Sequence, residues 1–251
     1  MILAVTPSWA RDAARRAPPE PDRFTDRQIL RGFLAVALGA EYSSAPSDRI
    51  RRFEGPVRVF VDAAGAPAEL RPARLATVDD VVAEIGRGVA HLDIAGTPER
   101  ASANLTVLVV TQRSLPAAVG AVFGRARAKD MLRRLEPQCV SGLSRDASQR
   151  ILQAVVVLAA DVSDFDFRDC AIEEILQALG PINDTAAVPW TMFNDAVRTG
   201  RFRRYDRYLL GLLYHPRMRA GLTRAEAAAT ARAVLPAVRA AVDGEAPGGP
   251  S

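Results

Sequence analysis

The feature that most constrains this chain is one continuous run, Arg150 to Pro181. Its first part, Arg150–Asp161, centres on Val155-Val156-Val157-Leu158 and reads as a buried strand. Asp164, Asp166 and Asp169 follow at once, and acidic residues of this kind favour the first turn of a helix. That helix is predicted from about Asp166 to Leu179, with Gly180-Pro181 to end it. An apolar strand running straight into a helix needs a layered fold, in which a sheet and its helices bury each other's apolar faces.

The rest of the chain supplies the other layers. Thr25-Asp26-Arg27-Gln28 is a capping box, and Ile29, Phe33, Val36 and Ala37 follow at helical spacing, predicting a helix to about Glu41. Pro56–Asp62 alternates as a strand and Ala64–Pro67 closes it as a turn. Val78, Val81, Val82, Ile85 and Val89 form an apolar stripe for a helix over Thr77–Leu92. Asn104–Thr111 reads as a buried strand, and Pro116 to about Leu135 as a helix. Thr223-Arg224-Ala225-Glu226 is another capping box, opening a last Ala-rich helix that ends near Val242. With no internal repeat and no long linker, residues 24–243 are predicted to form one domain. Residues 1–23 read as a flexible leader and 244–251 as a disordered tail.

Composition removes several function classes. Lys plus Arg number 33 against 29 Asp plus Glu, giving a net charge of only +4. The charges are mixed along the chain, whereas nucleic-acid binders concentrate them into patches. The densest cluster, Arg198, Arg201, Arg203, Arg204 and Arg207, is broken by Asp206 and apolar residues and reads as a solvated helix entrance. No apolar run approaches the about 20 residues that cross a bilayer. No G-x-S-x-G nucleophile elbow or Gly-rich phosphate loop is present. Met1–Val5 is apolar and Ser8-Trp9-Ala10 has the small-x-small pattern of a signal-peptidase site. Two readings stay open for that segment: the tail of a truncated signal peptide, or a frayed terminus. Cys139 and Cys170 would form a disulfide in an exported protein and stay buried thiols in a cytosolic one.

Within the predicted helix, Glu173-Glu174-Ile175-Leu176-Gln177-Ala178-Leu179-Gly180-Pro181-Ile182-Asn183 can be set beside the zinc-peptidase pattern H-E-x-x-H-x-x-G-x-x-H. In the working pattern two imidazoles at i and i+4 reach one metal, and the Glu beside the first is the general base on metal-bound water. Here Glu173 holds the first ligand position, Glu174 the general-base position, Gln177 the second ligand position and Asn183 the third, with Gly180 at the turn. Every imidazole is gone. Amide oxygens are poor zinc ligands, so no zinc and no other cofactor is assigned. Glu173, Asn183 and Asp184 are oxygen donors of the kind calcium takes, yet too few for its usual six to eight ligands. The bland alternative is an amphipathic helix burying Ile172, Ile175, Leu176 and Leu179, with Glu173 and Gln177 bonding the loop that carries Trp190 and Asn194. His215 reads as a displaced ligand or, more simply, a packed loop residue.

The ordered set Glu173–Asp184, Pro189–Asp195, Tyr205–Met218 and Gly221–Ala227 resembles a bacterial family of exported proteins of unknown function, related in fold to the metzincin-like zinc peptidases. The resemblance is strongest from Ile151 to Ala227. It implies an α+β, zincin-like domain. Its twisted sheet would contain Pro56–Asp62, Asn104–Thr111 and Arg150–Asp161 and pack against Thr77–Leu92 and the Glu173 helix. It also implies export to the periplasm or beyond, with possible envelope association, and a motif E-E-x-x-Q-x-L-G-x-x-N-D at Glu173, Glu174, Gln177, Gly180, Asn183 and Asp184. The function expected on that basis is a catalytically inactive binding module. It would hold a protein or peptide partner through Glu173, Gln177, Asn183, Asp184, Trp190 and Asn194, with Glu174 a vestigial base. The rival expectation is a hydrolase using an unconventional metal or a carboxylate pair, Glu174 with Asp184 or Asp195. Fold alone does not choose between them.

Overall fold

The structure, a computed structural model, describes residues 2–5, 15–38, 49–126, 128–129, 138–181, 183–194 and 196–244. In chain order the elements are β1 (Ile2–Val5), β2 (Arg15–Arg16), α1 (Asp26–Ala37), β3 (Val57–Gly65), α2 (Arg71–Gly88), β4 (Ile94–Gly96) and β5 (Leu105–Val110). Then come α3 (Leu115–Phe123), β6 (Cys139–Arg145), β7 (Ile151–Ala159), α4 (Asp164–Ala178), β8 (Val197–Arg198), α5 (Arg204–Tyr214) and α6 (Arg224–Gly244).

The main sheet runs in the order β1-β6-β7-β5-β3-β4. Strands β3, β4, β5 and β7 are mutually parallel, while β6 is antiparallel to β7 and β1 antiparallel to β6. The three strands legible in the sequence, β3, β5 and β7, are its adjacent centre. Side-chain alternation sorts their residues between two faces. Val57 and Val59, Leu105, Val107 and Val109, and Ala154, Val156 and Leu158 enter the main core beside α2 and α4. Val157 and Ala159 join Leu115, Val119 and Phe123 of α3 in a smaller cluster on the other face. Helices α1, α5 and α6 pack against one another and extend the main core. The domain is therefore mixed α/β, with parallel strands and helical connections.

Local chemistry explains most element boundaries. Thr25 and Gln28 close both halves of the expected capping box on α1, and Thr223 and Glu226 do the same for α6. Helix α1 stops at Ala37, short of Glu41, because Leu38 is already extended. Helix α2 starts six residues before Thr77, with Pro72 in its first turn, where a missing N–H is harmless. Within the predicted 116–135 helix, α3 breaks at Gly124, with φ +87°, and residues 125–126 and 128–129 are helical again. Residues 130–137 lie outside the described set.

The segment expected to be a flexible leader instead contributes two strands, β1 on β6 and β2 parallel to β8. Backbone groups at the open edge of β6 are satisfied by the first strand offered to them, which composition alone does not foretell. Residues 245–251 of the predicted tail lie outside the described residues, and Gly244 closes α6.

Two buried arginines rivet the layers. Arg74 of α2 donates to the carbonyls of Ala160 (2.8 Å) and Val162 (2.9 Å), to Asp164 (2.6 Å), and lies 4.6 Å over the Phe167 ring. It thus fixes the turn from β7 into α4. Arg52 donates to the carbonyls of Leu213 and Met218, both at 2.7 Å, closing the C-terminal end of α5, where a cation suits the helix dipole.

Cys139, the first residue of β6, and Cys170, in α4, are disulfide-bonded, with Cα atoms 5.9 Å apart. The bridge closes a loop with a sequence separation of 31 residues. Loop closure of that size is worth about 3 kcal/mol in the chain-entropy account. The Cys139→Ala/Cys170→Ala variant is expected to lose about that much stability in denaturant melts, and reductant should lower the Tm of the wild type but leave the variant unmoved. Equal sensitivity of both would contradict the bridge.

Candidate functional site

The motif lies on α4, and its environment is unlike an exposed amphipathic helix. Every residue from Asp169 to Ala178 is buried, including Glu173, Glu174 and Gln177. The sheet, α2 and the loop after the helix enclose it, so the polar residues of the motif sit inside the protein. Burying such groups costs several kcal/mol each unless they are hydrogen-bonded or neutralised.

Gln177, at the second ligand position, has both ends of its amide occupied. Its carbonyl oxygen accepts from the Ser141 hydroxyl of β6 at 3.3 Å. Its NH2 donates to Asp184 Oδ1 at 3.0 Å. Asn183, at the third position, turns elsewhere: its side chain donates to the Ala35 carbonyl at 2.7 Å, and its backbone N–H to Val36. Gln177 and Asp184 are thus brought together, while Asn183 is spent at the C-terminal end of α1. Among the described residues no group of three His, Cys, Asp or Glu could hold a metal ion. Two of the three ligand positions carry amides whose partners are already inside the protein, and amides do not suit zinc.

Gly180 does make the turn expected of it, and for a backbone reason. Its φ is +132°, a conformation L side chains rarely adopt. A Cβ there would lie 2.3 Å from the carbonyl oxygen of Arg51, itself wholly buried. Burial, and the like charge of Arg145, bring the Arg51 guanidinium down to about 10. Tyr214 of α5 donates to the Leu179 carbonyl at 2.8 Å, closing the same helix end.

The loop beyond α4 carries the remaining candidates. Asn194 is buried and works as a loop staple, donating to the Val188 carbonyl at 2.8 Å and accepting from the Ala196 N–H at 3.0 Å. Trp190 is half-buried, with its ring 5.3 Å from Phe24 and 5.9 Å from Tyr205. Asp195 lies outside the described residues. His215 faces His91, ring centroids 5.8 Å apart, and takes the packed-loop reading, its basicity lowered by burial and by neighbouring cations.

Two carboxylates that sequence reading passed over hold this loop. Asp206 is fully buried and accepts from the Thr191 hydroxyl at 2.6 Å and the Met192 N–H at 3.1 Å. Burial pushes its carboxyl up to about 7, with Glu20 adding to the rise and Arg203 opposing it. Asp169 accepts from the N–H groups of Thr199 (3.2 Å) and Gly200 (2.7 Å). The only sequence signal was an acidic residue inside an otherwise apolar helical face.

With the geometry in place, the profile of a family described as a protein of unknown function, DUF2927, matches residues 26–233. The chain belongs to the DUF2927 family. The match takes in α1 through the first half of α6, so the buried motif is part of the DUF2927 domain itself. Comparisons with curated proteins and with solved structures find no match. No helix among the described residues is long and apolar enough to cross a membrane.

Two outcomes test the site. Gly180→Ala is expected to lower stability by about 3 kcal/mol through backbone strain and the clash with Arg51, read by denaturant melts. For Asp206, a raised native pKa means that the folded state holds a proton the unfolded chain has released. Its contribution to stability is therefore present below about pH 4 and is lost as pH rises towards 7. Asp206→Asn is expected to flatten that decline between pH 4 and 7 relative to wild type. An identical pH slope in both proteins would show that Asp206 titrates normally.

Proposed function

We propose that this DUF2927 protein is an exported, non-catalytic domain of metzincin-like descent. On this reading its former catalytic helix has been absorbed into the core, and it works by binding an extended peptide partner. The observation that carries the non-catalytic part is Gln177: a wholly buried amide, satisfied at one end by Ser141 and at the other by Asp184, where a zinc ligand would have to face a metal. Asn183, held on the Ala35 carbonyl, supports the same reading. The arrangement of β3, β5 and β7 with α2 and α4 on one face agrees with the zincin-like architecture that the motif implies.

Export is supported by the Cys139–Cys170 disulfide, since such bridges persist in oxidising compartments. Peptide binding is supported by β6. This strand lies against the motif helix through Ser141, and its outer edge pairs with Ile2–Val5 in antiparallel register. An edge that accepts one extended apolar segment by backbone hydrogen bonds can accept another. Cleavage after Ala10, at the small-x-small pattern, would remove β1 and leave that edge open to a partner.

Elemental analysis of the protein purified from its native compartment, with thermal melts with and without chelator, tests the non-catalytic reading. It is expected to give no stoichiometric metal and superimposable melts. A bound metal with a chelator-sensitive melt would overturn it in favour of a hydrolase, with Glu174 the first residue to replace.

A further inference from the structure

A cleft of about 750 Å³ opens at the N-terminal end of α4, where α2, β8 and the 199–203 loop meet it. Its walls include Glu84, Phe165, Arg168, Arg198, Arg201 and Arg203. It uses none of the motif residues and lies two helical turns before Glu173 along α4.

Phe165 is 46 % exposed, one of two large hydrophobic residues so exposed among those described. A lone exposed Phe needs no explanation; this one is held in place. Gly200, at φ +60°, passes so close that a Cβ there would lie 2.6 Å from the Phe165 ring. Gly200 is itself fixed by the buried Asp169 carboxylate, which accepts its N–H at 2.7 Å. The Arg198 guanidinium lies 5.2 Å from the ring centroid. The result is an apolar platform immobilised before anything covers it, which lowers the entropy that binding would cost.

Charge on the walls is unevenly matched. Arg168 pairs with Glu84 at 2.6 Å, and Arg198 with Asp166 and Asp169. Among the described residues neither Arg201 nor Arg203 forms a salt bridge with a carboxylate; Arg203 donates to the Pro18 carbonyl at 3.1 Å and lies in the field of the buried Asp206, and Arg201 is exposed. The acids of the cleft are thus already engaged, leaving two arginines beside a fixed aromatic ring.

We propose that this cleft docks an acidic peptide segment of a partner protein, its carboxylates pairing with Arg201 and Arg203 and a neighbouring apolar side chain resting on Phe165. Arginine clusters recognise acidic motifs through charge-assisted, planar hydrogen bonds. Glu84 on the wall, and Asp166 and Asp169 behind Arg198, oppose a continuous phosphate backbone. Separate carboxylates can instead reach the two arginines one at a time.

The test is fluorescence anisotropy on the full chain with a fluorescein-labelled peptide of alternating Asp, Glu and Phe, beside a version with Lys in place of the acids. Saturable binding of the acidic peptide only, weakened by added salt, is expected. Arg201→Ala/Arg203→Ala should weaken it about tenfold and Phe165→Ala about fivefold, in the range of interface arginine and aromatic truncations, with thermal melts reporting the fold. Arg203 precedes α5, so if the double variant melts early, Arg201→Glu at the exposed position alone should still weaken binding. Absence of saturable binding, equal binding of the Lys peptide, or affinity unchanged in the arginine variants would overturn the proposal. So would heparin binding as tightly with no loss in Phe165→Ala, which would make the cleft a general anion patch.

Discussion

From Asp169 to Ala178 helix α4 is buried on every side while still carrying a polar motif, and most of the structure around it answers that constraint. A helix in such a position cannot leave its side-chain amide or its terminal backbone groups to water. Ser163 therefore caps its start, accepting the Asp166 N–H. Arg74 clamps the turn that enters it, Tyr214 closes its last carbonyls, and the chain leaves through a glycine lying against the Arg51 backbone. Asp184 returns from the loop to meet Gln177, and Asp169 reaches out to fix the loop's far end. One buried helix thus dictates the course of about forty residues beyond it, down to the position of α5.

This accounts for how a polar sequence is kept on a buried helix. Glu, Gln and Leu are good helix formers, so the helix tolerates them at no local cost. Once the amide of Gln177 takes partners on β6 and on the following loop, it is held as a core hydrogen-bond bridge. Removing it would take a hydrogen bond from each partner, and an unsatisfied buried group costs about 1–3 kcal/mol. Gly180 is fixed by the same kind of argument, through φ and a carbonyl contact. Polar residues inside a core can in this way be held by packing and hydrogen bonding alone.

What the sequence disclosed follows the range of the interactions involved. Capping boxes at Thr25 and Thr223 act over three residues and were legible, as were β3, β5, β7 and the helix that follows. Strand β6 was not, because Cys139-Val140-Ser141-Gly142-Leu143-Ser144 has little β-branched content and pairs only because β7 presents its edge. Nor did sequence reveal that Glu173 and Glu174 are inside, since charged helical residues ordinarily face solvent. Asp206 meets Thr191 across 15 residues and Asp169 meets Gly200 across 31, so neither had a local signature. At the candidate site Gln177, Gly180 and Asp184 lie close in sequence as well as in space, so a local motif could name them together. Asn183 falls outside that group in space, because the turn at Gly180 directs it to the end of α1.

The disulfide sits where covalent restraint has the most to do. Strand β6 is antiparallel in an otherwise parallel array and close to the sheet's edge, flanked on one side by β7 and on the other only by the four residues of β1. Its side chains supply Ser141 to the buried amide, so a shift of one residue would turn Ser141 outward and leave Gln177 half-satisfied. Tying Cys139 to Cys170 fixes that register from the helix side, independently of what lies along the outer edge. An edge whose register is held from within can lose and regain an outer strand without the core noticing. That property is what strand addition requires of a host sheet, and it links the covalent chemistry of the domain to the partner it is proposed to hold.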